Sequence, residues 1–244
     1  MPPRSEVGAE SAQCRLTSSG TVVRVGVLMV LLPQRCAVCR IPGAAVCAGC
    51  RAALVRISLP VCERCGAPGP WPLRRCAECA GRRLAFTTAR AAIVYEERAR
   101  AFVGAWKEHG RRDLAREAAA LVVESVARPV GDAVCHVPGS RDRTLRRGDV
   151  TARALATELA RLWDLPLTPL LRRRGSERPQ RGLSHVERRS NVRRAFVASG
   201  SAPRRICLVD DVYTTGSTAA ACATALRRAG AVRVDVVCFA RAVR

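Results

Sequence analysis

Residues 206–218 have the sequence ICLVDDVYTTGST, and this stretch decides the fold of the chain. Its first four residues, 206–209, are apolar and predict a buried strand. Asp210 and Asp211 follow at the carboxyl end of that strand, the edge at which open parallel sheets bind their ligands. Residues 214–218 carry hydroxyl groups and one glycine and lead into a helix, so their backbone N–H groups can hold a phosphate. The stretch therefore predicts a ligand site between a strand and a helix.

Two carboxylates beside a phosphate would repel it unless they meet hydroxyl groups or a metal ion. A ribose phosphate satisfies this condition, because Asp210 and Asp211 can accept hydrogen bonds from the 2′ and 3′ hydroxyls or hold Mg²⁺ there. The loop that would hold the 5′-phosphate consists of Thr214, Thr215, Gly216, Ser217 and Thr218. The alternatives are a strand–turn–helix unit without a ligand and the acidic strand end of a nucleotide-binding protein. The second alternative requires a glycine-rich loop that ends in Gly-Lys-Ser or Gly-Lys-Thr, which the sequence lacks.

Strands and helices alternate through the rest of the carboxyl-terminal part. Further strands are predicted at residues 91–95, 133–137 and 232–239. Helices are predicted near residues 114–126, 155–162 and 217–229. This alternation indicates an α/β fold with a doubly wound, mostly parallel sheet.

Residues 206–218 resemble the phosphoribosyl-diphosphate-binding motif of type I phosphoribosyltransferases. The resemblance implies a sheet of that kind and a glycosyltransferase that replaces the pyrophosphate of phosphoribosyl diphosphate by a nucleophile, usually a nitrogen base. Asp210 and Asp211 would be the catalytic residues and would face the positive charge that develops on the ribose. Mg²⁺ and arginines would stabilise the leaving pyrophosphate.

Two further basic features are candidates for contacts with phosphate groups. Related enzymes bind pyrophosphate on a loop after an earlier strand, and the basic loop at residues 138–149 follows such a strand here. Arginine forks fit paired phosphate oxygens, so Arg146, Arg147 and Gly148 are predicted to bind the pyrophosphate. Lys107, the only lysine of the chain, is predicted to contact a phosphate or a nucleic acid. The alternatives are a solvated basic loop and an ordinary surface lysine.

A polar, arginine-rich stretch at residues 172–195 is too interrupted to form part of a core. Its length suits a lid that closes over a bound sugar diphosphate and excludes water. The polar residues that would act there are Glu187, Arg188 and Asn191. A surface hairpin without a role in binding is the alternative.

Eight of the thirteen cysteines form four Cys-x-x-Cys pairs. The pairs are Cys36/Cys39, Cys47/Cys50, Cys62/Cys65 and Cys76/Cys79. Each pair can supply two thiolates to one tetrahedral ion, so eight ligands predict two structural Zn²⁺ sites. Sequential grouping of the pairs is simplest; interleaved grouping, redox dithiols and an iron–sulfur cluster are the alternatives. Because proline and glycine leave this segment little apolar core, metal binding must supply its folding free energy, about 10 kcal/mol or more per site.

Composition divides the chain into three segments. Residues 1–29 are predicted to be a disordered or short leading segment, residues 30–82 a cysteine module, and residues 86–244 the α/β domain. An apolar run at residues 22–32 is too short to span a bilayer, and no small-residue cleavage site follows it. We therefore expect no membrane insertion and a cytoplasmic location.

The formal net charge is +22, from 42 basic and 20 acidic residues. A field of this sign attracts polyanionic partners such as nucleotides, pyrophosphate or nucleic acid. A solvated basic surface without a specific partner is the alternative.

With both parts considered, residues 30–241 resemble the ComF family, in which a double zinc ribbon precedes a phosphoribosyltransferase domain. The resemblance also includes Leu32-Pro33-x-x-Cys36, the Lys107/Gly110 region and Gln180-x-Gly182-Leu183. One departure is Arg147-Gly148-Asp149-Val150, where similar proteins usually have Arg-Gly-Phe-Asn; the added carboxylate is expected to weaken the pyrophosphate loop. The resemblance implies a link to competence for DNA uptake and to single-stranded DNA, but it does not supply the acceptor.

Two functions from different classes are consistent with these features. The first is Mg²⁺-dependent transfer of a phosphoribosyl group to an unidentified acceptor, in competence or in nucleotide metabolism. The second is a non-catalytic accessory that binds single-stranded DNA and senses phosphoribosyl diphosphate. Aromatic residues for base stacking are scarce, and the candidates are Trp71, Phe86 and Trp106. DNA binding would therefore depend mainly on phosphate contacts and on salt.

Overall fold

The computed structural model of the protein describes residues 34–108, 111, 113–139, 151–174 and 195–243. Every described residue belongs to one unit of the chain, Gln34–Arg244. The leading segment predicted at residues 1–29 lies outside the described residues. The same holds for three residues of the predicted pyrophosphate loop, Arg146, Arg147 and Gly148. It also holds for three residues of the predicted lid, Glu187, Arg188 and Asn191.

Five helices and six strands make up the described part of the chain. The helices are α1 (Ala48–Ala52), α2 (Glu97–Glu108), α3 (Asp113–Ser125), α4 (Thr151–Trp163) and α5 (Ser217–Arg228). The strands are β1 (Thr88–Val94), β2 (Ala133–His136), β3 (Leu171–Arg173), β4 (Phe196–Ala198), β5 (Arg205–Tyr213) and β6 (Arg233–Arg241). Helix α2 is the one long element that the sequence pattern does not indicate, because its apolar residues are mixed with arginines and glutamates.

A four-stranded parallel sheet in the order β1-β6-β5-β2 forms the centre of this unit. It confirms the α/β fold with a parallel sheet. The predicted end of the central strand is wrong, because β5 continues past Val209 to Tyr213. The cause is pairing: β6 runs beside β5 as far as Arg241, which is in register with Tyr213. Since β2 ends with His136 opposite Val209, the last residues of β5 have a neighbouring strand on one side only, among the strands described.

Each face of the sheet carries its own apolar core. Cys207 and Val209 of β5 belong to one core, and Ile206 and Leu208 belong to the other, with the period of two expected of a strand. Helices α2, α3 and α4 pack in the first core, and α5 packs in the second. Helices on both faces make the sheet doubly wound, as predicted.

The cysteine module packs against the same two cores. Ala37, Val46 and Leu54 are buried in the core that contains α2, α3 and α4. Cys62 and Cys79 are buried in the core that contains α5. The boundary predicted between residues 82 and 86 stays a prediction, and the residues on its two sides share both cores.

Both outer strands of the parallel sheet are covered by other parts of the chain. Residues 55–57 run antiparallel along β1, where Val94 N–H donates to the Val55 carbonyl oxygen at 2.8 Å and Ile57 N–H donates to that of Ala92 at 2.9 Å. On the other side, Val134 N–H of β2 donates to the Pro166 carbonyl oxygen at 2.9 Å. These segments occupy backbone groups that an open sheet edge would leave free.

Strands β3 and β4 form a short antiparallel ribbon. The predicted lid, residues 172–195, begins within β3 and ends directly before β4. Arg173, the last residue of β3, is paired with Phe196, the first residue of β4. Between the two strands, residues 175–194 lie outside the description, so the lid and the surface hairpin both stay predictions. Among the helices that are described, none is both long and apolar enough to cross a membrane.

Candidate functional site

Asp210 and Asp211 lie on the part of β5 that has a neighbouring strand on one side only. Their side chains are partly buried, and the Asp211 backbone N–H donates to Asp210 Oδ1 at 2.9 Å. Burial and, after it, the negative charge of Asp211 raise the pKa of Asp210 to about 8. Two adjacent carboxylates with little water around them do not both ionise readily. The pair therefore requires a cation or hydroxyl donors before both members can carry charge.

Three elements meet at Asp211. Lys107, in the last turn of α2, places its Nζ 2.8 Å from Asp211 Oδ2. Thr151, the first residue of α4, donates its hydroxyl to the same oxygen. The lysine that the sequence singles out is thus in contact with a predicted catalytic residue. Thr151 was not among the predicted site residues, although a hydroxyl residue close after the basic loop was a signal that could have identified it.

The loop between β5 and α5 contains the five residues predicted to hold a phosphate. Gly216 immediately precedes α5 and has a left-handed backbone with φ of 70°. A Cβ atom added there would overlap with the hydroxyl oxygen of Tyr213, so glycine is required for both conformation and space. Thr215 Oγ1 lies 3.0 Å from Ser217 Oγ and accepts a hydrogen bond from Ser217 N–H at 3.4 Å. Hydroxyl groups and backbone N–H groups of the first turn of α5 are therefore gathered in this loop, which we call the phosphate loop (residues 214–218).

The carboxylates and the phosphate loop belong to one continuous segment at the carboxyl end of β5. Carboxylates accept hydrogen bonds from hydroxyl groups or bind a divalent cation, whereas the amides at a helix start bind anions. Lys107 adds a positive charge beside Asp211. Such a segment can bind a ligand that has hydroxyl groups or a metal ion at one end and a phosphate at the other.

The eight paired cysteines form two clusters, which we call the first and the second cluster. The first consists of Cys36, Cys39, Cys47 and Cys50, and the second of Cys62, Cys65, Cys76 and Cys79. All eight are free thiols, and within each cluster the sulfur atoms lie within 4.8 Å of one another. The grouping is the sequential one, and the interleaved alternative does not apply.

The dimensions of the clusters fit zinc. Sulfur atoms about 2.3 Å from a tetrahedral Zn²⁺ lie about 3.8 Å from each other. The Sγ–Sγ distance is 3.8 Å between Cys39 and Cys47 and 3.7 Å between Cys62 and Cys79. Four thiols per ion leave no coordination position for a substrate, so these sites are structural.

Backbone N–H groups favour a thiolate in each cluster. Cys47 N–H points to Cys36 Sγ at 3.5 Å, and Cys76 N–H points to Cys62 Sγ at 3.3 Å. Burial by itself would raise the pKa of both thiols, but several such N–H donors outweigh it and lower the pKa of Cys36 and of Cys62 to about 6. Zinc binds the thiolate form, so these N–H groups prepare one thiol of each cluster for the metal.

The contact between Arg241 and Tyr213, near the phosphate loop, was not predicted from the sequence. Arg241, at the end of β6, is only 1% exposed, and its guanidinium lies 4.5 Å from the centre of the Tyr213 ring. It also donates a hydrogen bond of 2.7 Å to the carbonyl oxygen of Cys65 in the second cluster. The one signal in the sequence is an arginine placed directly after a long apolar run.

Comparisons with known proteins agree with both parts of the chain. A double zinc ribbon domain matches residues 27–81. Competence protein F of Haemophilus influenzae is 30% identical over 224 residues, which cover 85% of this chain and 97% of that protein. DNA utilization protein YhgH of Salmonella typhi is 31% identical over 230 residues, or 87% of this chain and 99% of that protein. A solved structure of the allosteric regulatory enzyme of purine biosynthesis covers 51% of this chain and 25% of its own, at 25% identity and a TM-score of 0.36. Because the match to competence protein F extends over nearly the whole of that protein, the chain belongs to the ComF family.

Proposed function

We propose that the protein binds phosphoribosyl diphosphate together with Mg²⁺ in the cytoplasm and transfers the phosphoribosyl group to an acceptor. The observation that supports this proposal is the adjacent pair Asp210 and Asp211, followed directly by the phosphate loop. The pair lies at the end of β5, where β6 is the one neighbouring strand among those described. The relatives named for competence and DNA utilization give it a context in DNA uptake or nucleotide metabolism.

The residues of the site would bind the ribose phosphate at its two ends, the hydroxyl groups and the 5′-phosphate. Asp210 and Asp211 accept hydrogen bonds from the 2′ and 3′ hydroxyls, and their negative charge favours the positive charge that grows at C1 as its bond to pyrophosphate breaks. The phosphate loop binds the 5′-phosphate through backbone N–H groups. Mg²⁺, when bound with the substrate, stabilises the charge on the departing pyrophosphate. Arg146, Arg147 and Gly148 remain the proposed pyrophosphate contacts.

Lys107 has a separate part in this proposal. Without a ligand its ammonium group neutralises Asp211 at 2.8 Å. When the ribose hydroxyls or Mg²⁺ engage Asp211, the ammonium group is released and can pair with a phosphate oxygen of the same ligand. Its side chain is 36% exposed, so this exchange does not require the core to open.

Calorimetric titration with phosphoribosyl diphosphate tests the binding step. We expect Mg²⁺-dependent binding to the wild type and an affinity about tenfold lower or worse for Asp211→Asn, because a hydrogen bond to a charged group contributes about 1.5–3 kcal/mol. Asp132→Asn is the matched control, since Asp132 pairs with Arg205 at the opposite end of β5 and should leave the affinity unchanged. A wild type that does not bind the compound would refute the proposal. The transfer step fails separately if no base in a panel of acceptors leads to release of pyrophosphate.

A second candidate function is the binding of single-stranded DNA without turnover. It is favoured by the net charge of +22 and by the names of the relatives. The three aromatic candidates are not equivalent: Phe86 and Trp106 are buried at 0% and 4% exposure and cannot stack on bases, whereas Trp71 is 61% exposed. Trp71 is therefore the proposed stacking residue.

Fluorescence anisotropy with a labelled oligonucleotide tests this second function. We expect Trp71→Ala to lower the affinity about tenfold, since stacking on one base contributes about 1–3 kcal/mol. Leu59→Ala is the control, because Leu59 is an 84% exposed apolar residue of the same module that cannot stack. Phosphate contacts should also make the affinity fall steeply with salt. An affinity that hardly changes between low and moderate salt would contradict this function.

A further inference from the structure

Arg241 is a fully buried arginine that is held mainly by the cysteine module. Its Nη1 donates to the Cys65 carbonyl oxygen at 2.7 Å, and its Nη2 lies 2.6 Å from Glu78 Oε2. Both partners lie in the segment that forms the second cluster. Its Nε makes no hydrogen bond with any described residue. Because a buried charge is costly unless it is paired, the position of the guanidinium depends on the geometry of the second cluster.

The same guanidinium also packs on the ring of Tyr213. Its carbon lies 4.5 Å from the centre of the Tyr213 ring, a distance suited to a cation–π interaction. Tyr213 is the last residue of β5, is 5% exposed, and is in register with Arg241. The Tyr213 ring also makes an edge-to-face contact with Phe86.

The hydroxyl end of Tyr213 lies directly against the phosphate loop. The space next to the Gly216 Cα atom is filled by the Tyr213 Oη and Cζ atoms, which is why a Cβ atom would not fit there. Gly216 sets the left-handed turn that starts α5. A shift of the tyrosine ring would therefore change the conformation of the residue that orients the N–H groups of the loop.

We propose that Arg241 and Tyr213 are positioning residues that connect the second cluster to the phosphate loop, so that metal loading of the cluster and binding of a sugar phosphate strengthen each other. The order of contacts is Cys65, Arg241, Tyr213 and Gly216, and each step is a direct contact between buried groups. Coupling of this kind is reciprocal: if zinc improves ligand binding, the ligand slows zinc loss by the same factor. The ligand half of the inference rests on the proposed function, whereas the link between cluster and loop does not.

Hydrogen–deuterium exchange of a peptide containing residues 214–218 tests the link without any ligand. In the wild type, we expect removal of zinc from the second cluster to speed exchange of the loop amides about tenfold. Arg241→Met should show the fast exchange with both zinc ions still bound, as counted by native mass spectrometry. Arg233→Met is the matched control, since it removes an arginine–carboxylate pair, with Asp235, at the other end of the same strand. The proposal would be overturned if the loop amides of Arg241→Met exchanged at the wild-type rate. It would also be overturned if removal of zinc did not change the exchange rate of the wild-type loop.

A milder variant covers the case in which Arg241→Met does not fold. Tyr213→Phe keeps the ring under the guanidinium and removes only the hydroxyl beside Gly216, so the loop should exchange faster while zinc stays bound. Loop exchange equal to that of the wild type would count against the proposal.

The rate of zinc release to a colorimetric chelator tests whether ligand binding stabilises the second cluster. Phosphoribosyl diphosphate with Mg²⁺ should slow the release of one of the two zinc ions about tenfold in the wild type and in Arg233→Met, but not in Arg241→Met. Equal slowing in Arg241→Met would overturn the assigned route. If the wild type binds no phosphoribosyl diphosphate while loop exchange still follows zinc, the proposed function is wrong and the link between cluster and loop stands.

Discussion

At the scale of single residues, Asp210 affects ligand binding and stability in opposite directions: its charged form favours the ligand and destabilises the folded protein. Its carboxyl group lies beside that of Asp211, and its pKa is raised to about 8 by burial and by that neighbour. The protein without a ligand therefore holds a proton at Asp210 near neutral pH. A magnesium ion or ribose hydroxyls bound at the pair would favour the charged form, so binding should release this proton.

The first prediction concerns the pH dependence of stability. Because the pKa of Asp210 is higher in the folded protein than its ordinary value of 3.8, the free energy of unfolding should decrease as the pH rises from about 4 to about 8. Asp210→Asn removes this loss, so we expect the variant to be more stable than the wild type at pH 8 by roughly several kcal/mol. The difference should vanish near pH 4. Urea denaturation at several pH values measures it.

Asp132→Asn gives a control of opposite sign. The hydrogen bond from Arg205 lowers the pKa of Asp132, so this variant should lose stability above pH 5 rather than gain it. If the free energy of unfolding of Asp210→Asn varies with pH as that of the wild type does, the prediction that Asp210 is protonated is wrong. The same variant should bind phosphoribosyl diphosphate more weakly, a common exchange of function for stability.

The two aspartates were identified from the sequence, but the cation beside them was not placed by it. The acidic pair and the loop are neighbours along the chain, so their pattern is visible in thirteen consecutive residues. Lys107 was singled out as the single lysine and was predicted to contact a phosphate or a nucleic acid, not a carboxylate. Its contact with Asp211 depends on how α2 packs on the sheet, and no local pattern reports that packing.

At the scale of elements, the second cluster is attached to β1 through a very close approach of two backbones. Gly66 has a φ of 71°, and a Cβ atom there would overlap with the carbonyl oxygen of Ala89. In the same place, Ala89 N–H donates to the Arg64 carbonyl oxygen at 2.9 Å. Gly66, which directly follows Cys65, therefore allows the turn at the second cluster to pack on the strand.

The second prediction tests this approach. Gly66→Ala should lower the free energy of unfolding by about 2–4 kcal/mol, because backbone strain adds to a steric clash. Gly81→Ala is the matched control: Gly81 has a φ of 69° in the same module, but nothing lies within 4 Å of an added Cβ atom. Only the strain, about 1 kcal/mol, should remain there. Equal losses in the two variants, measured by chemical denaturation with zinc in excess, would contradict the close approach.

Local patterns located most elements but not their ends. The strands near residues 91–95, 133–137 and 232–239 lie close to the observed β1, β2 and β6. Strand β5 was predicted too short, because aspartates are rare in strands and the pairing with β6 that keeps them there is not local. Helix α2 was missed because its arginines obscure the apolar period.

At the scale of the whole molecule, the cysteine module is part of the structure of the α/β unit. The first cluster lies beside one core of the sheet, and the second lies in the other. Sequence composition indicated a metal-held module followed by an α/β domain. The sharing of cores depends on contacts between segments far apart in sequence, which composition does not report.

The third prediction follows from the shared cores. Removal of zinc by a chelator should lower the melting temperature of the α/β unit itself, since each structural zinc contributes about 10 kcal/mol to the fold that binds it. Far-UV circular dichroism measures this, because α1 is the only helix described in the cysteine module. A helical signal that melts at the same temperature with and without zinc would contradict the prediction. Added zinc should restore the original melting temperature.

The covering of β1 by residues 55–57 and of β2 by residues 166–168 has a consequence for assembly. A second molecule that tried to lengthen the sheet would find both outermost backbones already engaged by their own chain. Pairing between strands of two molecules, the usual route to ordered fibres, would first require one of these covering segments to detach from its strand. Among the described residues, the two edges of the parallel sheet are therefore poor sites for strand pairing between molecules.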